Sequence, residues 1–193
     1  AACLALAAAH AWMTGKGGRP AALWIAGLTI LFPLLYGLWT WRYAVNVPSW
    51  DDFDAILAFA NREAGERWAT LLAQHNEHRL GFARLAAEVS LRLSGTVNFR
   101  VLVAVGNACL LGVFTVMALR LRPERKTRAI LAALSALVFA PVSWLTMSWA
   151  TAALQNVPVH LWALMACAVF FMSGSLGLRA VLLLACGLGA AWT

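Results

Sequence analysis

An all-α, polytopic helical membrane protein with one long outer loop is the fold class this sequence predicts, and three observations predict it. Of 193 residues, 62% are hydrophobic and only 12% are charged, where a soluble domain carries about 25% charged residues. Mean hydropathy is +0.75, and ten residues are tryptophan. Apolar runs near the length that crosses a bilayer core as helix, about 20 residues, recur along the chain between loops of distinct charge. This composition excludes a disordered chain and a disulfide-stapled secreted domain, and it argues against a soluble enzyme. The chain begins at Ala1, and its last apolar run stops at Trp192-Thr193, which reads as an N-terminal fragment of a longer protein.

The spans follow in order. Residues 1–20 hold a partial apolar segment, 1–13, and a short basic loop with Lys16 and Arg19. No basic n-region precedes that segment, which argues against a cleavable signal peptide. Residues 21–41 form the first full span, with Pro33 as a kink and Tyr36, Trp39 and Trp41 as an aromatic belt at its far end. Residues 101–119, 129–147 (with Pro141 inside) and 157–172 are further spans, and 179–193 reads as a truncated one. The four cysteines, Cys3, Cys109, Cys167 and Cys186, each lie within an apolar run and read as small buried hydrophobes. Asn107, inside the second span, reads as an interhelical hydrogen-bonding residue.

The net charge of +7 raises the question of nucleic acid, and the distribution answers it. Five of the fifteen basic residues lie in the loop 120–128 between two apolar runs, the pattern of a cytoplasmic loop under the positive-inside rule. The chain is therefore expected to bind a lipid bilayer and no nucleic acid. Alternation then puts 14–20, 120–128 and 173–179 on the cytoplasmic side, and the 42–100 loop with the uncharged 148–156 turn on the outer side. Seven of the eight acids fall within 42–100.

That loop carries the chemistry-capable residues. It opens Val47-Pro48-Ser49-Trp50-Asp51-Asp52-Phe53-Asp54, and Phe53, Ile56, Leu57 and Ala60 follow at amphipathic helical spacing. Such a helix is expected to lie parallel to the membrane with its carboxylates at the water boundary. Asp51 and Asp52 suit a catalytic general base or a metal ligand, and equally the acidic first turn of a helix capped by Ser49. No cofactor is fixed by the sequence. A divalent metal ion at Asp51 and Asp52 is the one candidate.

Further along, His75-Asn76-Glu77-His78-Arg79 gathers polar groups at a helix junction. His75, Glu77, His78 and Arg79 could bind a phosphate through Arg79 or a divalent ion through the imidazoles and Glu77. Their spacing is not H-E-x-x-H, so the zinc-protease reading fails, and satisfied histidines at a junction remain an equal reading. On the helix that follows, Phe82, Leu85, Ala86, Val89 and Leu93 form an apolar stripe, while Arg84, Glu88 and Arg92 read as a solvated, ion-paired face. Gln155, Asn156 and His160 open the 157–172 span on the outer side. They read as a second substrate-binding cluster or as an interfacial helix cap.

A transmembrane span followed by a long outer loop that opens on an acidic pair resembles the GT-C class of polytopic glycosyltransferases, which includes the protein mannosyltransferase and aminoarabinose transferase families. The run Gln74-His75-Asn76-Glu77-His78-Arg79 also resembles a group of uncharacterised bacterial membrane proteins of this layout. The resemblance covers residues 21–172. It implies a multi-pass protein of the bacterial cytoplasmic (inner) membrane with 42–100 on the periplasmic side. It further implies a polyprenyl-phosphate-linked sugar donor, a glycan, lipid or protein acceptor, and Asp51 or Asp52 as the loop acid. The competing classes are a transporter or flippase component, suited by Pro33 and Pro141 as helix breaks, and a non-enzymatic membrane scaffold.

Overall fold

The computed structural model describes residues 19–75, 78–121 and 125–193. The apolar segment 1–13, Lys16 and Glu77 lie outside the described residues, as does the side chain of His78. Helix α1 (Arg19–Tyr43) carries Pro33 within it. A wide π-turn (Phe53–Leu57) then runs into a single turn, α2 (Ala58–Ala60), followed by α3 (Ala64–Thr70). A two-residue hairpin pairs β1 (Gln74–His75) with β2 (His78–Arg79), Gln74 opposite Arg79 and His75 opposite His78. Helix α4 (Gly81–Ser94) stops at Gly95, whose φ of 72° supplies the left-handed residue that ends many helices. Helix α5 (Phe99–Arg120) starts on Asn98, whose side chain accepts from the Val101 N–H at 3.1 Å.

The rest is α6 (Arg125–Val138), a 3₁₀ turn (Pro141–Ser143), α7 (Trp144–Met147), α8 (Ala150–Phe170) and α9 (Leu176–Ala191). Among the described residues three helices are long and apolar enough to cross a membrane: Ala22–Tyr43, Phe99–Arg120 and Ala150–Phe170. The first two match the predicted spans 21–41 and 101–119 closely. The other three depart from expectation. The 129–147 span is broken, because Pro141 lacks the N–H that would continue α6, and α6 at 14 residues is about 21 Å long, short of the bilayer core of about 30 Å. The 157–172 span starts seven residues earlier, at Ala150. The 179–193 segment is a 16-residue helix, α9.

The helices pack as α5 on α8, α8 on α9 and α1 on α6. Helices α5 and α8 run parallel and approach closely where Gly106 faces the backbone of Ala153 and Leu154. A Cβ there would lie 2.5 Å from the Ala153 carbonyl carbon. Small residues permit such contacts between apolar helices, which dispersion and polar bonds hold together. Asn107 is the interhelical residue the sequence predicts: its amide donates to the Met147 carbonyl at 2.8 Å, and its Oδ1 accepts from the Tyr36 hydroxyl at 2.5 Å. Ser135 of α6 likewise donates to the Thr29 carbonyl of α1.

Residues 44–98 fold onto one end of this bundle as a head. Ile56, Phe59, Leu80, Ala83 and Ala87 of the head share a core with Phe99, Leu102 and Val103 of α5 and with Ala150 and Leu154 of α8. Ile56 and Phe59 thus pack on protein, whereas Phe53 is 52% exposed. The π-turn, with its Ala58 N–H bonded to the Phe53 carbonyl, rotates the expected stripe so that Asp52, Ala55, Ile56 and Phe59 face inward.

Gly106→Val is expected to drive α5 from α8 and to destabilise the protein by about 3 kcal/mol, the upper end for overpacking. Gly27→Val on α1, where an added Cβ meets nothing within 4 Å, is expected to cost far less. Thermal unfolding in detergent measures both.

Candidate active site at the head of the bundle

The acidic pair divides into two roles. Asp52 is 0% exposed. Its Oδ2 accepts from the Ser49 N–H at 3.1 Å and the Ala150 N–H at 3.3 Å, and its Oδ1 accepts from the Thr151 N–H at 2.7 Å and hydroxyl at 2.6 Å. The bond to Ser49 is the return half of a capping box, an acid three residues into a turn reaching back to the residue that starts it. The other three cap α8 from a distant part of the chain. Trp149, at the cap position, supplies no side-chain bond, so Asp52 satisfies first-turn N–H groups that would otherwise be orphaned and places a carboxylate at the positive end of the helix.

With both oxygens engaged by N–H and O–H donors, Asp52 has no lone pair directed at a ligand. A metal ion shared by Asp51 and Asp52 therefore does not fit. Among the described residues no group of three or more His, Cys, Asp or Glu side chains is arranged to hold one.

Asp51 is exposed. Its carbonyl accepts from the Ala55 N–H at 2.8 Å, while its carboxylate has neither a hydrogen bond nor an ion pair among the described residues. The residue before it, Trp50, has φ of 52°, a left-handed conformation that costs a non-glycine residue about 1 kcal/mol or more. Trp50 forms part of the wall of a cleft of about 420 Å³ with Trp39, Tyr43, Trp144 and Trp149. The Trp50 and Trp149 ring centroids lie 6.3 Å apart. An unpaired carboxylate thus follows directly on an aromatic cleft at the mouth of the apolar helices.

The remaining predicted residues separate. His75, half-buried in the hairpin, lines a second cavity of about 150 Å³ with Arg62 and Arg84. Arg79 is exposed. Gln155, Asn156 and His160 line neither cavity. They sit one to three turns inside α8, where the Asn156 amide donates to the Ala152 carbonyl at 3.0 Å and the His160 Nδ1–H donates to the Asn156 carbonyl at 2.5 Å. Because α8 begins at Ala150, these groups are beyond the outer cap they are expected to form, and Asn156 and His160 are satisfied by their own helix.

Helix α4 reverses its expected faces. Arg84 and Glu88 are buried, at 7% and 2% exposure, while Leu85, Val89 and Leu93 are exposed. Glu88 receives Arg67 Nε at 2.6 Å and Arg92 Nε at 2.8 Å. The Arg92 hydrogen bond, with Arg67 adding to it against the opposing effect of burial, holds the Glu88 carboxyl below its ordinary value. Residues that sequence reasoning missed as site components are Trp144 and Trp149, Thr151, Arg62 and Arg84. For the tryptophans the signal was their place just before and within the uncharged 148–156 turn; for Arg84 a helical wheel offered none.

Asp52→Ala leaves three α8 donors without their acceptor and is expected to lower stability by about 3 kcal/mol, whereas Asp51→Ala is expected to stay within about 0.5 kcal/mol. Thermal unfolding separates the two. A carboxyl held below its unfolded value stabilises the fold above that value and ceases to as pH falls through the folded one. The stability difference between the wild-type protein and Glu88→Gln is therefore expected to be constant near neutrality and to shrink only below about pH 4. No protein-family model matches the chain, and no curated protein or solved structure matches it.

Proposed function

We propose that the chain is part of an integral membrane glycosyltransferase of GT-C-like layout, transferring a sugar from a polyprenyl-phosphate donor to an acceptor hydroxyl on the outer face of a bacterial inner membrane. The observation that carries this reading is the exposed Asp51, unpaired among the described residues and next in the chain to Trp50 of the aromatic cleft. The three long apolar helices support a setting in the bilayer, and the acidic head on one end of them supports a reaction at the membrane–water boundary.

In this reaction Asp51 takes the proton of the acceptor hydroxyl as its oxygen attacks the anomeric carbon. The bond from that carbon to the phosphate oxygen breaks, the phosphate leaves on its polyprenyl carrier, and the anomeric centre inverts. Tryptophan and tyrosine faces in the cleft offer polarisable, apolar surface to the C–H faces of a sugar ring, while their N–H and O–H groups can meet its hydroxyls. Asp52 positions Asp51 without touching substrate, because its oxygens are already bonded to Ser49, Ala150 and Thr151.

Asp51→Asn in the intact membrane protein is expected to reduce glycan transfer by about 100-fold or more, the usual contribution of a positioned base, with expression and melting temperature unchanged. Undiminished transfer would remove the catalytic role. Substrate flux in proteoliposomes lacking any acceptor would favour a transporter instead.

A further inference from the structure

Arg84 is a buried cation that forms no ion pair with a carboxylate among the described residues. Its Nη1 donates to the Thr70 carbonyl at 3.0 Å and the Ala73 carbonyl at 2.5 Å, and its guanidinium lies 6.0 Å from the Phe59 ring centroid. Its Nε is buried without an acceptor, and no described carboxylate pairs with it. One turn along the same helix, Glu88 is taken by two other arginines, Arg67 and Arg92. A charge at this depth is strongly disfavoured unless it is paired. Burial, and secondarily the like charge of Arg62, pull the Arg84 pKa below its ordinary value, as expected where two guanidinium groups face one space.

That space is the cavity of about 150 Å³ walled by Arg62, Arg84, His75, Thr70, Gln74 and Asp54. At about 30 Å³ per water molecule it has room for roughly five waters, and so for a phosphoryl group of five heavy atoms. Two guanidinium groups recognise phosphate through charge-assisted hydrogen bonds, and the imidazole of His75 adds a donor at the rim. Asp54, exposed in the same wall, opposes the arginines and limits how much negative charge the cavity accepts.

We infer that the cavity between Arg62, His75 and Arg84 is a phosphate-binding site, filled either by free inorganic phosphate or by the phosphomonoester head group of a lipid. The site does not include Asp51, so it holds whether or not Asp51 is a catalytic base.

Titration of the intact protein in detergent with inorganic phosphate, read as a melting-temperature shift and by calorimetry, tests it. Wild-type protein is expected to bind. Arg62→Gln, at an exposed position where the fold is undisturbed, is expected to weaken binding about tenfold, and Asp54→Asn to tighten it several-fold. Arg84→Gln is expected to abolish binding, with the Arg62 and Asp54 variants keeping the test independent of how well that variant folds. A second arm uses short-chain phosphatidic acid against short-chain phosphatidylcholine. Displacement of inorganic phosphate by phosphatidic acid alone identifies a lipid phosphomonoester, and no displacement identifies free phosphate. Absence of binding by both phosphate and phosphatidic acid, or binding that neither Arg62→Gln nor Asp54→Asn alters, would overturn the inference. Binding retained in Asp51→Asn separates this site from the proposed catalysis.

Discussion

A single buried carboxylate joins the two parts of this protein. Asp52 bonds at once to the turn that carries it, through Ser49, and to the first turn of α8, through Ala150 and Thr151. An isolated carboxylate in that position would be strongly destabilising. Four donors and the positive end of a helix make it tolerable, and they do so only when head and bundle are docked together. The apolar core around Ile56, Phe59, Leu102 and Leu154 supplies area but little direction. The Asp52 bonds supply the register in which the head sits on α5 and α8.

The second constraint is the solvent. On α4 the charged residues Arg84 and Glu88 are buried while Leu85, Val89 and Leu93 are exposed, and these exposed residues border an apolar cleft shared with Val101 and Val105 of α5. In water such an arrangement would be inverted. Next to helices long and apolar enough to cross a membrane it is the arrangement a bilayer favours, because lipid accepts the aliphatic side chains and the protein interior must pair the charges. Among the described residues Glu88 is paired twice and Arg84 with no carboxylate, so the two buried charges of α4 are not each other's partners.

What could be read in the sequence was what depends on local composition. The first two long helices are visible as apolar runs because composition alone marks them, and Asn107 stands out because a polar side chain in such a run needs a hydrogen-bond partner. The start of α8 was hidden because its cap, Asp52, lies about a hundred residues away, and no local signal marks Ala150 as a first turn. Periodicity likewise showed that α4 has two faces, yet it could not say which one protein covers. The usual assumption, apolar inward, does not hold for α4. The π-turn at Phe53–Leu57 defeated the helical wheel for a simpler reason: the wheel assumes 3.6 residues per turn, and the wider turn moves Phe53 out and Phe59 in.

The adjacency of Asp51 and Asp52 therefore has a structural meaning that their chemical likeness conceals. Trp50 holds a left-handed backbone that a bulky residue avoids, and a conformation of that kind persists only where its surroundings over-determine it. On its C-terminal side the Asp52 carboxylate is fixed by four bonds, and on its N-terminal side one of those same bonds holds the Ser49 N–H. The turn is thus closed across Trp50, whose indole lies toward Trp149, and the Asp51 carboxylate is left without a partner among the described residues. The buried acid is what keeps the exposed one in a fixed place, so the two positions are not interchangeable: moving the free carboxylate to position 52 would bury it, and a neutral residue there would release the turn that aims Asp51.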